Sequence, residues 1–256
     1  MINEITKSIH ENGLRMTFHF GLTHVIDRIF HQFNMPSIKY FLTYINNIYL
    51  EPRTSLMNEF INYEITLNEI EREFYACSKQ LESRSESLSL GYPSNFSLNQ
   101  TGTYMLYHIA RILKPKIIVE TGVANGVSTF YIIKAIEKNG FGKLISFDLS
   151  PNVGALISDA ERLNWDLRIL SRKRRRDFIE NIKKIGNIDL FLHDGDHTYK
   201  WQSMEYKIIF PLLKTGGIFL ADDIIASNAF LDYVKDRNIN KFCVINKGSL
   251  IAVIKK

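Results

Sequence analysis

The sequence predicts an α/β fold: a doubly wound, mostly parallel sheet that ends in an antiparallel C-terminal hairpin, preceded by a helical N-terminal extension. Three observations support this. After residue 100, short apolar runs alternate with longer amphipathic stretches, the pattern of strands joined by helices. Two β-rich runs near the C-terminus flank Lys247-Gly248-Ser249, which is a hairpin signal. Before residue 95, apolar and aromatic residues recur at helical spacing.

The elements of the sheet are predicted in order along the chain. The parallel strands are Lys116–Glu120, Lys143–Asp148, Leu167–Leu170, Ile188–His193 and Gly217–Ala221. The helices are Gly126–Lys138, Asn152–Leu163, Asp177–Ile185, Thr198–Leu213 and Ser227–Asp236. The hairpin strands are Lys241–Asn246 and Leu250–Lys255. Five strands with intervening helices predict a parallel, doubly wound sheet with right-handed crossovers.

The chain divides into a helical extension, residues 1–97, and an α/β domain, residues 98–256. The stretch from Ser83 to Asn99 is rich in Ser, Asn, Gly and Pro and is predicted to be a linker or mobile loop. We expect the extension to act as a substrate lid or as a dimerisation element of a homo-oligomer. A helical cap that packs on the sheet is the alternative.

The charge of the chain is concentrated in one place. Lys and Arg number 32 against 27 Asp and Glu, and the five consecutive basic residues Arg172–Arg176 account for the whole excess of +5. Nucleic-acid-binding surfaces spread basic residues over a face or groove, so no nucleic-acid partner is expected. This run is either a solvated helix start or a site that attracts a phosphorylated or nucleotide-linked substrate.

The composition also indicates the cellular compartment of the protein. Only two cysteines, Cys77 and Cys243, are present, which excludes a disulfide framework and indicates a reducing environment. Charged residues interrupt the first 17 positions, so no signal peptide is predicted. The longest uncharged run, Ser87–Ala110, is too polar to lie in a membrane. We therefore expect a soluble, cytoplasmic protein without a membrane partner.

A glycine turn follows the first predicted strand of the sheet. The strand ends in Glu120, and the chain then passes through Gly122 and enters a helix near Gly126. Gly122 lets a ligand approach the backbone, and the helix start presents unpaired N–H groups. The turn has two glycines where the dinucleotide fingerprint needs three, which argues against a nicotinamide cofactor. Asp148, which ends the next strand, can accept both hydroxyls of an adenosine ribose; a turn or capping aspartate is the alternative.

Three acidic residues follow two later strands, where each strand ends. Asp194 follows one strand, and Asp222 and Asp223 follow the next. Ligands of open parallel sheets bind outside these strand ends, so the three carboxylates are expected to converge. Their mutual repulsion would be relieved by a hard divalent cation such as Mg²⁺. The alternative is that they cap the following helices.

His197 lies three residues after Asp194 and is predicted on the first turn of the next helix. Beside a cation and a substrate hydroxyl, an imidazole suits a general base because its pKa lies near neutral pH. A surface or core histidine is the alternative, and that interpretation is kept for His10, His19, His24, His31 and His108. His193 is predicted to line the strand end.

Residues from about 98 to 256 resemble class I S-adenosylmethionine-dependent methyltransferases of Rossmann-like fold, in the metal-dependent O-methyltransferase branch. That branch includes catechol and caffeoyl-CoA O-methyltransferases and sugar-methylating enzymes of the macrocin and mycinamicin type. Glu120-Thr121-Gly122, with Ala124 and Ser128, matches the first cofactor motif. Asp148 matches the ribose-binding acid, Asp194 the residue that binds metal beside the cofactor, and Asp222-Asp223 the acidic pair that completes the metal site.

The resemblance implies an O-methyltransferase that uses S-adenosyl-L-methionine and Mg²⁺ or another divalent cation. Its acceptor would be a hydroxyl of a small molecule or saccharide with vicinal oxygens, and His197 would be the catalytic base. Catechol-type members have a lysine at that position, so His197 favours a saccharide or polyol over a phenol. The segment Ser171–Asp177 departs from the family's adenine-contacting turn, and only Asp177 is a candidate there.

Three other functions remain as alternatives. The first is a catechol-type phenolic O-methyltransferase, which differs only in the acceptor. The second is a nicotinamide-dependent oxidoreductase, and the third is a non-enzymatic nucleic-acid-binding module that keeps the fold as a scaffold.

Overall fold

The computed structural model describes residues 48–49, 67–171, 173–239, 243–246 and 250–256. Within them, the helices are α1 (Leu67–Ser87), α2 (Gln100–Leu113), α3 (Val127–Asn139), α4 (Arg174–Ile185), α5 (Tyr199–Leu212) and α6 (Ala229–Asp236). The strands are β1 (Ile48–Tyr49), β2 (Ile117–Thr121), β3 (Lys143–Asp148), β4 (Trp165–Ile169), β5 (Ile188–His193), β6 (Leu213–Ala221), β7 (Cys243–Asn246) and β8 (Leu250–Lys255). Short 3₁₀ helices cover Ser94–Phe96 and Glu161–Asn164.

The strands form one sheet in the order β1-β7-β8-β6-β5-β2-β3-β4. All neighbouring pairs are parallel except those of β8, which runs antiparallel to both β6 and β7. This confirms the predicted mostly parallel sheet with an antiparallel C-terminal hairpin; the hairpin residues 247–249 lie outside the described residues. Because β2 lies between β3 and β5, the strand order reverses there, and the crevice at its carboxyl end is the expected ligand site.

The central strands are apolar because the sheet is covered on both faces. Ile118 and Val119 of β2 and Leu190 and Phe191 of β5 are fully buried. Alternate residues enter two separate clusters, with Val119 and Phe191 in one and Ile118 and Leu190 in the other. Continuous apolar runs of this kind are typical of buried parallel strands. None of the helices in the described ranges is long and apolar enough to cross a membrane.

The predicted helix Asn152–Leu163 is wrong. The chain makes turns there, and only its last part enters the 3₁₀ helix Glu161–Asn164. The reason is that its N–H groups bond elsewhere: Gly154 N donates to the carbonyl of Ala124 at 2.8 Å, and Leu156 N donates to that of Asn125 at 3.0 Å. The segment is therefore held against the turn after β2, which takes the hydrogen bonds that a helix would use.

The predicted loop Ser83–Asn99 begins later than expected. Its first residues belong to α1, which continues to Ser87. Most of the predicted extension, residues 1–47 and 50–66, lies outside the described residues, so its role as lid or dimerisation element stays a prediction. Of the part that is described, α1 packs on α2 and α3, whereas β1 pairs with β7 at the edge of the sheet, so the extension is not entirely helical as predicted.

An ion-pair cluster around Glu161 holds α1 to α3. Arg84 of α1 donates to both carboxylate oxygens of Glu161, at 2.6 and 2.9 Å, and Lys134 of α3 lies 2.7 Å from Oε1. The Glu161 side chain is only 4% exposed. Burial raises its pKa, but Arg84, Lys134 and Ser158 outweigh that effect and lower the pKa to about 2.

Glu161→Gln is expected to destabilise the fold by about 2–3 kcal/mol at pH 7, because the partly buried Arg84 loses its counter-ion and Lys134 keeps only Glu137. The folded pKa lies below the unfolded value of 4.5, so this stabilisation is present above pH 4.5 and is lost as the pH falls towards 2. Urea denaturation at pH 7 and pH 3 should therefore show a smaller difference between wild type and variant at pH 3.

The matched control is Asp159→Asn. Asp159 lies 3.9 Å from Arg162, and its side chain is fully exposed, so its removal should change the free energy of unfolding by less than about 0.5 kcal/mol. Equal effects of the two substitutions would contradict the structural role given to Glu161.

Candidate active site

The glycine turn joins the ends of β2 and β5. Gly122 has a φ of +84°, and a Cβ at this position would lie 2.0 Å from the carbonyl oxygen of Asp194. Asp194 N donates to the carbonyl of Thr121 at 2.9 Å. A side chain on Gly122 would therefore separate the two strand ends that border the crevice. Ala124 of the same turn has a φ of +47°, an unusual backbone conformation for a residue with a side chain.

Glu120 supports the glycine turn from the interior of the protein. Its side chain is fully buried, and it accepts hydrogen bonds from three hydroxyls: Ser128 Oγ at 2.6 Å, Thr129 Oγ1 at 2.8 Å and Ser146 Oγ at 2.6 Å. Burial raises the pKa of this carboxyl, and the three hydroxyls oppose the shift. Glu120 and Ser128, two of the predicted cofactor-binding residues, thus face each other in the interior and position the turn rather than line the crevice.

Asp148 ties the turns after β2 and β3 together. Its Oδ2 accepts from Val123 N at 2.9 Å, and its Oδ1 accepts from Leu149 N at 2.6 Å and Ser150 N at 2.9 Å. These are the contacts of a turn aspartate. Since a carboxylate has about four acceptor positions, one remains on Oδ2 for a ligand hydroxyl.

Asp194 and Asp222 meet where β5 and β6 end. Asp222 N donates to the carbonyl of His193 at 2.9 Å, which aligns the two strand ends. The carboxyl groups of Asp194 and Asp222 are hydrogen-bonded to each other. Burial first, and then the charge of Asp222, raise the pKa of Asp194. Two such groups can remain together only if they share a proton or hold a cation.

Asp223 occupies a different position from this pair. Its backbone φ is +46°, and its charge acts both on Asp194 and on His197. Across the described residues, no group of three or more His, Cys, Asp or Glu side chains is arranged to hold a metal ion. The structure thus brings together two of the three predicted metal ligands, Asp194 and Asp222, and places the charge of Asp223 next to them.

His197 lies in the loop before α5, not on its first turn as predicted, because α5 begins at Tyr199. The imidazole packs edge-on against His193, with ring centroids 5.2 Å apart. Burial first, and then His193, lower the pKa of His197 to about 4, and the charges of Asp223 and Asp196 oppose this. The ring is therefore neutral at pH 7. Within the part of the chain that the structure describes, its Nδ1 is buried without a hydrogen-bond partner.

Sequence reasoning missed a buried polar network behind the strand ends. His193 Nδ1 lies 2.5 Å from Glu205 Oε2, and both side chains are fully buried. Glu205 also accepts from Trp201 Nε1 at 2.7 Å, and Gln202 Nε2 lies 3.2 Å from His193 Nε2. These contacts fix β5 to α5 and hold the strand end that carries Asp194. In the sequence, only the position of Glu205 among apolar residues of the predicted helix could have indicated this network.

A second missed feature covers the glycine turn. Asn125 is 2% exposed, and its side chain makes two hydrogen bonds with the backbone of Tyr92: Tyr92 N donates to Oδ1 at 3.1 Å, and Nδ2 donates to the Tyr92 carbonyl at 2.7 Å. The loop after α1 is thereby fastened over the turn. Asp177, the adenine candidate, instead accepts from Ser171 N at 2.9 Å and closes the turn before α4.

The comparisons with known proteins agree with this geometry. Residues 119–224 match the model of a family described as a methyltransferase domain, which supports the methyltransferase predicted from the sequence. No curated protein matches the sequence.

Two solved structures show the same fold at low identity. One is a Podospora anserina methyltransferase bound to SAH, 16% identical, with a TM-score of 0.51; the match covers 76% of this chain and 98% of that one. The other is a methyltransferase of the mycinamycin biosynthetic pathway, in complex with Mg, SAH and mycinamycin VI. It is 12% identical, with a TM-score of 0.50, and 70% of this chain and 54% of that one are covered.

Proposed function

We propose that this chain, which carries a methyltransferase domain, transfers the methyl group of S-adenosylmethionine to a hydroxyl of a small molecule or saccharide with vicinal oxygens, assisted by a divalent cation. The observation that carries the proposal is the contact between the Asp194 and Asp222 carboxyl groups beside the glycine turn, with a neutral His197 nearby. The ligands of the two similar structures, SAH in both and Mg in one, support the same cofactors here.

The crevice at the end of β2 offers the contacts that an adenosine and a methionine group need. The start of α3, after Gly126, supplies backbone N–H groups. The free acceptor position on Asp148 Oδ2 suits a ribose hydroxyl. S-adenosylmethionine supplies an already activated methyl group, so the residues of the chain must bind it, orient the acceptor and remove a proton. Alignment of two reactants alone can contribute about 7–11 kcal/mol to lowering a barrier.

Asp194 and Asp222 fit a divalent cation by their chemistry. Mg²⁺ is commonly held by one or two carboxylates with water or substrate oxygens in the remaining positions, so a pair suffices. Asp223 would add negative charge from the side of His197. A cation held there would lower the pKa of a bound acceptor hydroxyl, and its open positions favour two neighbouring oxygens.

His197 would accept the proton of the acceptor hydroxyl. Its pKa of about 4 keeps the ring neutral at pH 7, so that a ring nitrogen can take the proton. This pKa lies below the near-neutral value expected from the sequence and makes the ring a weaker base, so the proton transfer depends on a cation that lowers the pKa of the acceptor hydroxyl. Nδ1 is buried among protein atoms, so an acceptor cannot reach it. We therefore assign the proton transfer to Nε2.

The alternatives are less well supported. A phenolic acceptor is disfavoured by His197, which stands where catechol-type enzymes have a lysine. The family match and the missing third glycine oppose a nicotinamide-dependent oxidoreductase, for which NAD(H) binding would be required. A nucleic-acid-binding module would need basic residues beyond the single run at Arg172–Arg176 and would show retention of DNA or RNA in a filter-binding assay at moderate salt.

The function can be tested by transfer of a labelled methyl group from S-adenosylmethionine to a panel of glycosides, polyols and catechols. We expect transfer to an acceptor with vicinal aliphatic hydroxyls when Mg²⁺ is present, and its loss in EDTA. Transfer that survives the chelator would refute the role of the cation. Transfer to catechols alone would refute the acceptor class.

Asp194→Asn should weaken the binding of Mn²⁺, used as a spectroscopic probe, by about 10²-fold or more, because outer ligands alone contribute 10–100-fold. The measurement is a titration followed by electron paramagnetic resonance. Asp159→Asn, which removes an exposed carboxylate, is the control and should leave the affinity unchanged. Equal affinities of wild type and Asp194→Asn would show that no cation is held there.

A further inference from the structure

A basic groove runs along the first turns of α4, next to the candidate active site. The groove is shallow and open to solvent, with a volume of about 640 Å³. Its cationic lining consists of Lys173, Arg174, Arg175, Arg176 and Lys183, with the apolar Ile179 between them. The acidic residue of the lining, Glu180, is paired with Arg176 at 2.7 Å. In the described part of the chain, Lys173, Arg175 and Lys183 form no salt bridge.

One end of the groove is fixed to the loop of the active site. Arg174 Nη2 lies 2.8 Å from Asp196 Oδ2, and its guanidinium stacks over Trp201 at 4.8 Å. Asp196 directly precedes His197 and follows Asp194 by two residues. One end of the groove is therefore tied to the loop that carries the proposed base.

The charges of α4 oppose its own helix dipole. The helix begins with three arginines, Arg174–Arg176, and no side chain caps its start at Lys173. A helix N-terminus carries partial positive charge and favours acids, so cations at this end repel both the dipole and one another. The acid of the first turn, Asp177, accepts a hydrogen bond from Ser171 N. A bound anion would relieve this repulsion, and local conflicts of this kind are expected at functional sites.

We propose that the groove binds a phosphate or diphosphate group of the methyl acceptor. Arginine donates paired hydrogen bonds that match phosphate oxygens. A small anion fits better than a nucleic acid because the positive excess of the sequence is concentrated in one short run and is not spread over a face. The inference rests on the proposed function for the identity of the ligand as an acceptor; the anion site itself rests on the groove.

The full-length chain should be titrated with inorganic pyrophosphate by calorimetry, at low and at 0.5 M salt. We expect binding at low salt, at least 10-fold weaker binding at high salt, and a loss of at least 10-fold in Arg175→Glu. Arg175 is exposed, so the variant should fold, which its thermal transition will check. The control is Lys79→Glu, which makes the same change in charge at an exposed site on α1 and should bind pyrophosphate like the wild type.

A parallel titration with S-adenosylhomocysteine separates the two ideas. Loss of pyrophosphate binding in Arg175→Glu while S-adenosylhomocysteine binds normally supports the inference. Pyrophosphate binding without any S-adenosylhomocysteine binding would overturn the proposed function but leave the anion site standing. Equal pyrophosphate affinities of wild type and Arg175→Glu would overturn the inference. It would also be overturned if single-stranded RNA or anionic phospholipid vesicles bind through Arg175 while pyrophosphate does not bind.

Discussion

Replacing His197 with alanine should lower the turnover of methyl transfer by about 10²–10⁴-fold, the usual contribution of a general base. The neutral ring beside Asp223 is placed to take the proton of the acceptor hydroxyl, and alanine leaves nothing in its position. The measurement is a steady-state assay with a labelled methyl donor on the acceptor that the wild type uses.

Two controls separate catalysis from folding in this variant. The affinity for S-adenosylhomocysteine should remain within a few-fold of wild type, because none of the contacts assigned to the cofactor involves His197. Added imidazole should restore part of the rate if the missing group is a base. A variant that keeps wild-type turnover would remove His197 from the mechanism.

Gly122→Ala should destabilise the protein by about 3 kcal/mol or more, since it combines a strained backbone conformation with overpacking. The new Cβ would lie 2.0 Å from the carbonyl oxygen of Asp194 and 2.8 Å from Cα of Gly195. The ends of β2 and β5 must then move apart, so the binding of S-adenosylhomocysteine should weaken as well. Urea denaturation and calorimetry measure the two effects.

Gly140→Ala is the matched control for the backbone term. Gly140 ends α3 with a φ of +76°, and a Cβ there would have no neighbour within 4 Å. It should therefore cost only the conformational penalty of about 1–2 kcal/mol and leave ligand binding unchanged. If both variants lose the same stability and bind S-adenosylhomocysteine equally, the close approach at Gly122 has no functional importance.

The sheet was predictable where one apolar run is bounded by polar residues. Lys143–Asp148 and Ile188–His193 have the predicted bounds, because burial on both faces leaves a clear local signal. The segment 152–163 was not predictable, because its spacing is compatible with a helix. What decides its conformation is that its backbone donates to carbonyls of the turn after β2, about 30 residues earlier.

The candidate site was likewise predictable only in part. The rule that ligands bind at the carboxyl ends of parallel strands predicted the meeting of Asp194 and Asp222. It could not predict that Glu120 would be enclosed by three hydroxyls, because these come from α3 and β3 and depend on tertiary packing. The pairing of His193 with Glu205 has the same origin, since the partners lie on β5 and α5.

Calorimetric titration of the full chain with S-adenosylhomocysteine, with and without Mg²⁺, tests the central claim most directly. The structure predicts one binding site per chain, and binding of Mg²⁺ that is lost in Asp222→Asn while the affinity for S-adenosylhomocysteine is retained. A chain that binds neither ligand, although it unfolds in a cooperative transition, would contradict the account.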